Sequence, residues 1–164
     1  MKHFVSLLCA TLLAATPLAT FALTPDQEGA ISVHCESIRQ TLKTVQHEDS
    51  RTRVYLGGYY ETILNKFMVP LNLRLVKNNL VDANLTANQA TFSTNKINFN
   101  DDFIDYQKSL DELIAIDCKN NPTDFYDKLI LVREKRSIMR QDVQALQDDI
   151  TAHIGFVGAL KGQL

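Results

Sequence analysis

Residues 50–64 read SRTRVYLGGYYETIL. Gly57 and Gly58 sit between two runs of β-branched and aromatic residues. Alone, that is the signature of two short strands joined by a two-residue turn. The surrounding chain argues otherwise. Ile31, Cys35, Ile38, Leu42, Val45, Asp49, Thr52, Leu56, Tyr59 and Ile63 alternate at intervals of four and three without a slip of phase, and the glycine stretch falls inside that register. Strict period-two alternation fails, because Val54-Tyr55-Leu56 and Ile63-Leu64 are consecutively apolar. A lone hairpin in a helical chain is also marginally stable. The register therefore predicts that Gly57 and Gly58 are outward-facing positions of one long helix. Its weak point is His47–Ser50, where Ser50 suits the cap of a new helix, so the alternative is a chain broken near Asp49. Pro70 is expected to kink or end the segment, because it lacks an N–H and crowds the preceding turn. Lys77–Asn84 reads as an apex loop.

Two further seams follow. Phe92, Lys96, Phe99, Phe103, Tyr106, Leu110, Leu113 and Asp117 repeat the period, with Thr86 and Gln89 forming a capping-box pattern ahead of them. Residues 90–98 are poor in helix formers, and the helix is secure only from Asp101 onward. Phe125, Leu129, Val132, Arg136, Met139, Val143, Leu146, Ile150, His153 and Val157 make the longest seam. Asn121 or Thr123 can cap its helix and Pro122 suits the first turn, while Gly155, Gly158 and Gly162 mark a fraying end, giving a helix over about 122–155. The expected fold is all-α: an elongated antiparallel bundle of three long helices, or four with a break near Asp49. Charge agrees with packed legs. Residues 37–80 hold seven basic and three acidic side chains, and residues 81–118 hold two basic and seven acidic.

Residues 1–22 have the form of a cleaved signal peptide: Lys2 and His3, an apolar core from Phe4, Pro17, then Thr20 and Ala22 ahead of a cut. Cys9 lies inside the apolar core rather than after it, so no lipid attachment is expected. The stretch is shorter than the ~20 apolar residues of a bilayer span, and no later segment is apolar enough for one. Cleavage leaves residues 23–164 as a single domain. Losing Lys2 leaves 16 basic against 19 acidic residues, a net charge of −3, which disfavours a nucleic-acid binder.

Cys35 and Cys118 remain after cleavage, and two thiols in an exported chain are expected to pair. The pairing sets a geometric condition. A helical path over 35–79 spans ~67 Å and a helical return over 86–118 only ~50 Å. Either one leg is irregular, at 90–98, near His47–Ser50 or at Pro70, or the disulfide is not intramolecular.

No catalytic, cofactor-binding or metal-binding residues are identified. His34, Cys35 and Glu36 are adjacent and so diverge on a helix, and there is no CxxC or HxxxH spacing. Asp101, Asp102 and Asp105 read as carboxylates at a helix start, where the dipole favours them. Asp111-Glu112 and Asp148-Asp149 read as solvated-face charges. His153 reads as a packed seam residue. Arg136 is expected to pair with Asp117 or Asp49, or to reach solvent. The candidate interaction surface is Arg51, Arg53, Tyr55, Gly57, Gly58 and Tyr60, since Tyr and Arg favour binding hot spots and glycine admits a close backbone. In this register Tyr59 faces the seam, and Tyr55 and Tyr60 flank it.

LTPDQ (23–27) and LTANQ (85–89) resemble the L-T-x-x-Q motif of small helical periplasmic chaperones of the Spy/CpxP type. That resemblance implies an ATP-independent holdase for envelope proteins. SRTRVYLGGYYETIL with PLNLRLVKNN, NFNDDFIDYQKSLDELIAIDC and FYDKLILVREKR resemble an uncharacterised group of small exported helical proteins of Saccharibacteria-type bacteria. This second resemblance implies export, a helical fold and paired cysteines near helix ends, and no catalytic residues. The expected role is a non-enzymatic interaction or structural protein of the cell surface or surrounding medium. It would act through a protein partner or by self-association. The alternative is the holdase.

Overall fold

The computed structural model describes residues 23–161; the expected signal peptide, Cys9 and Gly162 lie outside them. Helix α1 (Pro25–Thr62) runs into a π-helical segment (Ile63–Met68) and then α2 (Val69–Lys77), forming one long joined helix. A tight turn leads to α3 (Ala83–Ala115), and a second to α4 (Pro122–Lys161). Among the described residues there is no strand, and the architecture is an all-α bundle.

Gly57 and Gly58 are helical, as the register predicts. A Cβ at either would meet nothing within 4 Å, so both face open space. The break considered near Asp49 is absent: α1 continues through His47–Ser50, and the Ser50 hydroxyl donates to the Gln46 carbonyl within the helix instead of capping a new one. The irregularity lies just ahead of Pro70. Val69 N–H donates to the Leu64 carbonyl five residues back, which widens the turn. Pro70 then sits in the first turn of α2, where the widened turn ahead of it takes up the missing N–H and the ring. Asn79, at φ 56°, ends α2 in the left-handed region. Leu80 N–H reaches Leu75 O at 2.8 Å and Asn79 N–H reaches Val76 O at 3.1 Å, the Schellman pattern that satisfies the last carbonyls.

Helix α3 begins earlier than its capping-box pattern suggests. Asp82 is the cap, accepting from Asn84 and Leu85 N–H, and Thr86 lies inside the first turn. Residues 90–98 are helical despite weak propensity, because Phe92 and Phe99 are fully buried. Each contributes roughly 1.5–3 kcal/mol of apolar burial, against a few tenths per poor helix former. Helix α4 starts where expected, with Phe125 N–H donating to Asn121 O, but continues past Gly155 and Gly158. Half-buried Phe156, Val157 and Leu160 extend its inner face there.

The legs are matched in length. Gln46 bonds Asp111, Ser50 bonds Gln107, Lys96 pairs with Glu61, and Asn72 bonds Gln89, so α1–α2 and α3 run antiparallel in constant register. Cys35 and Cys118 meet at a Cα separation of 5.4 Å as an intrachain disulfide. From Cys35 to Lys77 the helix climbs about 63 Å at most. The return consists of about 48 Å of α3 and about 10 Å of chain after Ala115, which leaves the helix with Ile116 at φ −68°, ψ 135°. The widened π turn shortens the outward leg further. The length mismatch is thus absorbed at 116–118 and 63–68, not at 90–98 or His47–Ser50.

Candidate binding cleft

The six residues of the expected surface do not stay together. Tyr60 is only 2 % exposed, with its ring edge-on to Phe92 and Phe99 at centroid distances of 6.1 and 5.6 Å. It is a core residue, and Tyr59, expected on the seam, is 40 % exposed. The cause is a change of spacing. Beyond Leu56 the inner positions are Tyr60, Leu64 and Met68, four apart, which the wider π turn keeps on one side. Arg53 turns inward and lays its guanidinium 5.3 Å from the centroid of Phe103. Tyr55 and Gly58 remain exposed, Gly57 is half-buried, and Arg51 pairs along the helix with Glu48. Arg51 and Tyr55 share a shallow hollow with His47, Ser50 and Val54.

The seam polar residues converge mid-bundle. Arg136 Nη2 lies 2.8 Å from Asp49 Oδ1, and Tyr106 Oη donates to Asp49 Oδ2 at 2.6 Å. Three helices are joined at this node, and of the partners expected for Arg136 it is Asp49 that is used. Asp117 instead accepts from Lys119 N–H, Asn120 N–H and Asn120 Nδ2 in the turn before α4. Burial, then the bond to Asp49, pushes the Tyr106 phenol well above its ordinary value.

Between α3 and α4 runs a polar column at seven-residue intervals: Asn88, Asn95, Asp102 and Ser109. Asn88 Nδ2 donates to the Asp149 carbonyl at 3.0 Å, and Asn95 Nδ2 donates to Asp149 Oδ2 at 2.8 Å. Asp142 is held against Asp102; burial first, then the charge of Asp102, pushes its carboxyl up to about 6. Further along, Lys135 pairs with Asp105 at 2.6 Å and Lys128 with Glu112. The acids Asp101, Asp102 and Asp105 are therefore mid-helix, not at a helix start, and Asp105 and Glu112 of α3 pair with lysines of α4 rather than with the basic first leg. Asp111, Glu112 and Asp149 likewise bridge helices instead of standing free on a solvated face.

The bundle is open at its π-turn end. A cleft of about 460 Å³ separates the joined helix from the last turns of α4. One wall is Tyr59, Ile63, Lys66, Phe67, Met68, Pro70, Leu71 and Arg74; the other is Ile150, His153, Ile154 and Val157. The wide turn and Pro70 shape the first wall. The continuation of α4 past Gly155 supplies the second. His153 is buried, as a packed seam residue should be, with Nδ1 3.1 Å from Asn88 Oδ1. The Asn88 amide nitrogen is already committed to Asp149, so Nδ1 carries the proton and donates. Burial holds this imidazole below its ordinary range. Phe67 and Ile154 are 59 % and 66 % exposed, so large apolar side chains stand open to solvent at the cleft.

Sequence reasoning passed over this cleft. The signal was present in the fours of Leu56, Tyr60, Leu64 and Met68 running up to Pro70, which depart from the four-three alternation. The Cys35–Cys118 bond, with no described helix long and apolar enough to cross a membrane, is compatible with an exported protein. No protein-family model matches the chain, and neither a curated protein nor a solved structure matches it.

Proposed function

We propose that this is an exported, non-enzymatic interaction protein that holds its partner molecule in the cleft at the π-turn end. The supporting observation is that two ordered helical walls expose Phe67, Ile154 and their apolar neighbours across an open 460 Å³ space instead of packing shut. A cleft of that size and lining falls in the range of small-molecule sites, about 300–1,000 Å³. The leader and the disulfide favour action outside the cytoplasm, at the cell surface or in the medium.

The test uses the purified, oxidised protein and the neutral apolar dye Nile red. The protein should bind the dye saturably, one per chain. Ile154→Arg, at an exposed position, should abolish binding without changing the helical circular dichroism signal. A protein that binds no dye, or a variant that binds it unchanged, overturns the reading. A concave apolar wall also suits the holdase alternative. Suppression of aggregation of a heat-unfolded client, lost in Ile154→Arg, would favour that role over storage or transfer of a small ligand.

A further inference from the structure

We infer that the cleft takes a single-chain amphipathic anion, its acyl tail along the apolar walls and its headgroup at Lys66 and Arg74. This rests on the reading of the cleft as the binding site and adds the chemistry of the occupant. Lys66 and Arg74 are both exposed, lie on the same wall and come from two different turns. No carboxylate lines the cleft, and neither cation pairs with one among the described residues.

The local sign opposes that of the whole chain. The protein carries a net charge of −2, yet residues 62–81 hold Lys66, Arg74 and Lys77 and no acid. Two exposed cations on one wall of an otherwise apolar cleft lower the energy of a ligand that is charged at one end only. Apart from these two cations the lining carries no charge at neutral pH. His153, on the α4 wall, has its Nδ1 proton occupied by Asn88, and burial keeps the ring neutral. A tail can therefore lie against Ile150 and Ile154 without desolvating a charge. A neutral ligand would leave the cations unused, and a dianion seated deeper would be drawn into apolar surroundings at high cost.

The experiment compares laurate with dodecanol, which share a tail and differ in charge, by displacement of Nile red from the oxidised protein. Laurate should displace the dye about tenfold more effectively than dodecanol, and the difference should shrink as salt is raised. Lys66→Gln with Arg74→Gln should remove the preference, bringing laurate down to the level of dodecanol. Lys66→Arg with Arg74→Lys should retain it. Equal displacement by the two ligands, or a preference that survives the Gln pair, overturns this inference while dye binding itself leaves the cleft reading intact. A protein that dimerises through the cleft, so that laurate has no effect and Ile154→Arg yields monomer, also overturns it, because the occupant is then a second copy. Absence of dye binding in the starting protein defeats the cleft reading instead.

Discussion

The two ends of the bundle are built differently. At the disulfide end Cys35, Leu113, Cys118 and Phe125 are buried together, and the chain around them is tied by short-range bonds. Thr24 and Gln27 close a capping box at the start of α1. The Thr123 hydroxyl donates to Glu28 at 3.1 Å, fastening α4 to α1. At the π-turn end the joined helix leans on α3, through Asn72 to Gln89 and Tyr60 to Phe92, and leaves α4 across a cleft. One end is held by a covalent link and satisfied polar caps. The other sets exposed Phe67 and Ile154 on facing walls of an open cleft. A bundle fixed at one end can leave the other open because the closed end already sets the register of all the helices.

That asymmetry is tested most severely by cutting the covalent link. The disulfide closes a loop with a sequence separation of 83 residues. Its removal by Cys35→Ser with Cys118→Ser is expected to cost about 3–5 kcal/mol in urea denaturation. Unchanged stability would mean that the closed end is held by packing alone. Next in size is the mid-bundle node. Asp49→Ala strands Arg136 and the Tyr106 hydroxyl, both partly buried, and should cost about 2 kcal/mol. A double-mutant cycle with Arg136→Ala should return a coupling of about 1 kcal/mol or more, because the two residues share one network. Zero coupling would show that the Asp49–Arg136 contact adds nothing to the packing around it.

Most of the fold was legible because it is written in burial. Every position of the α4 seam from Phe125 to Val157 is buried or half-buried in the structure. The Cys35–Cys118 pairing was legible from the cysteine count, with its intrachain character left open, and Asp49 was one of three outcomes open to Arg136. Three things were not legible. The start of α3 is set by Asp82, which caps Asn84 and Leu85 N–H ahead of the Thr86–Gln89 pattern. The π turn lies directly ahead of Pro70, and its wider spacing is one that a helical period of three and four cannot express. The cleft is space left between helices, and a register records what faces inward, not how far apart the faces stand. Its charged rim was visible only as a run, 62–81, with three basic residues and no acid.

The glycine pair sharpens the contrast by a smaller amount. Gly57 and Gly58 lie in α1 between the node and the cleft, with helical backbone and open space where a Cβ would stand. Gly57→Ala and Gly58→Ala should each stabilise the protein by about 0.5–1 kcal/mol. Thermal melts of the single variants and the double check this. If stability rises and Nile red binding is unaffected, the notch is a tolerated cost and the binding site is the cleft. If stability rises but association with a protein partner weakens, a second contact lies on the Tyr55 face.

An effect of similar size concerns pH, where two groups on α4 act in opposite directions. Burial lowers His153 below its ordinary 6.5, so as pH falls through 6.5 the unfolded chain takes up a proton that the native imidazole refuses. Stability is lost over that interval, and the loss stops once pH is below the native value. Asp142 behaves in reverse. Its native carboxyl titrates at about 6, against an ordinary 3.8, so between those values the folded protein holds a proton that the unfolded chain has released. Stability gained from Asp142 therefore grows as pH drops from about 7 to about 4. The two slopes oppose each other just below pH 6.5, and the wild-type profile there should be shallow. Asp142→Asn removes one slope. It should stabilise the protein at pH 7.5 by on the order of 1 kcal/mol, after discounting for solvent screening, and should leave stability falling with acid through His153. His153→Asn removes the other and should leave stability rising as pH falls from about 7 to about 5, above the range where the depressed carboxyls of Glu61, Asp105, Glu112 and Asp117 begin to lose their contribution. If both variants keep the wild-type slope, the polar column between α3 and α4 is open to water along its length, and the closed character of the bundle ends at the Asp49 node rather than at the cleft.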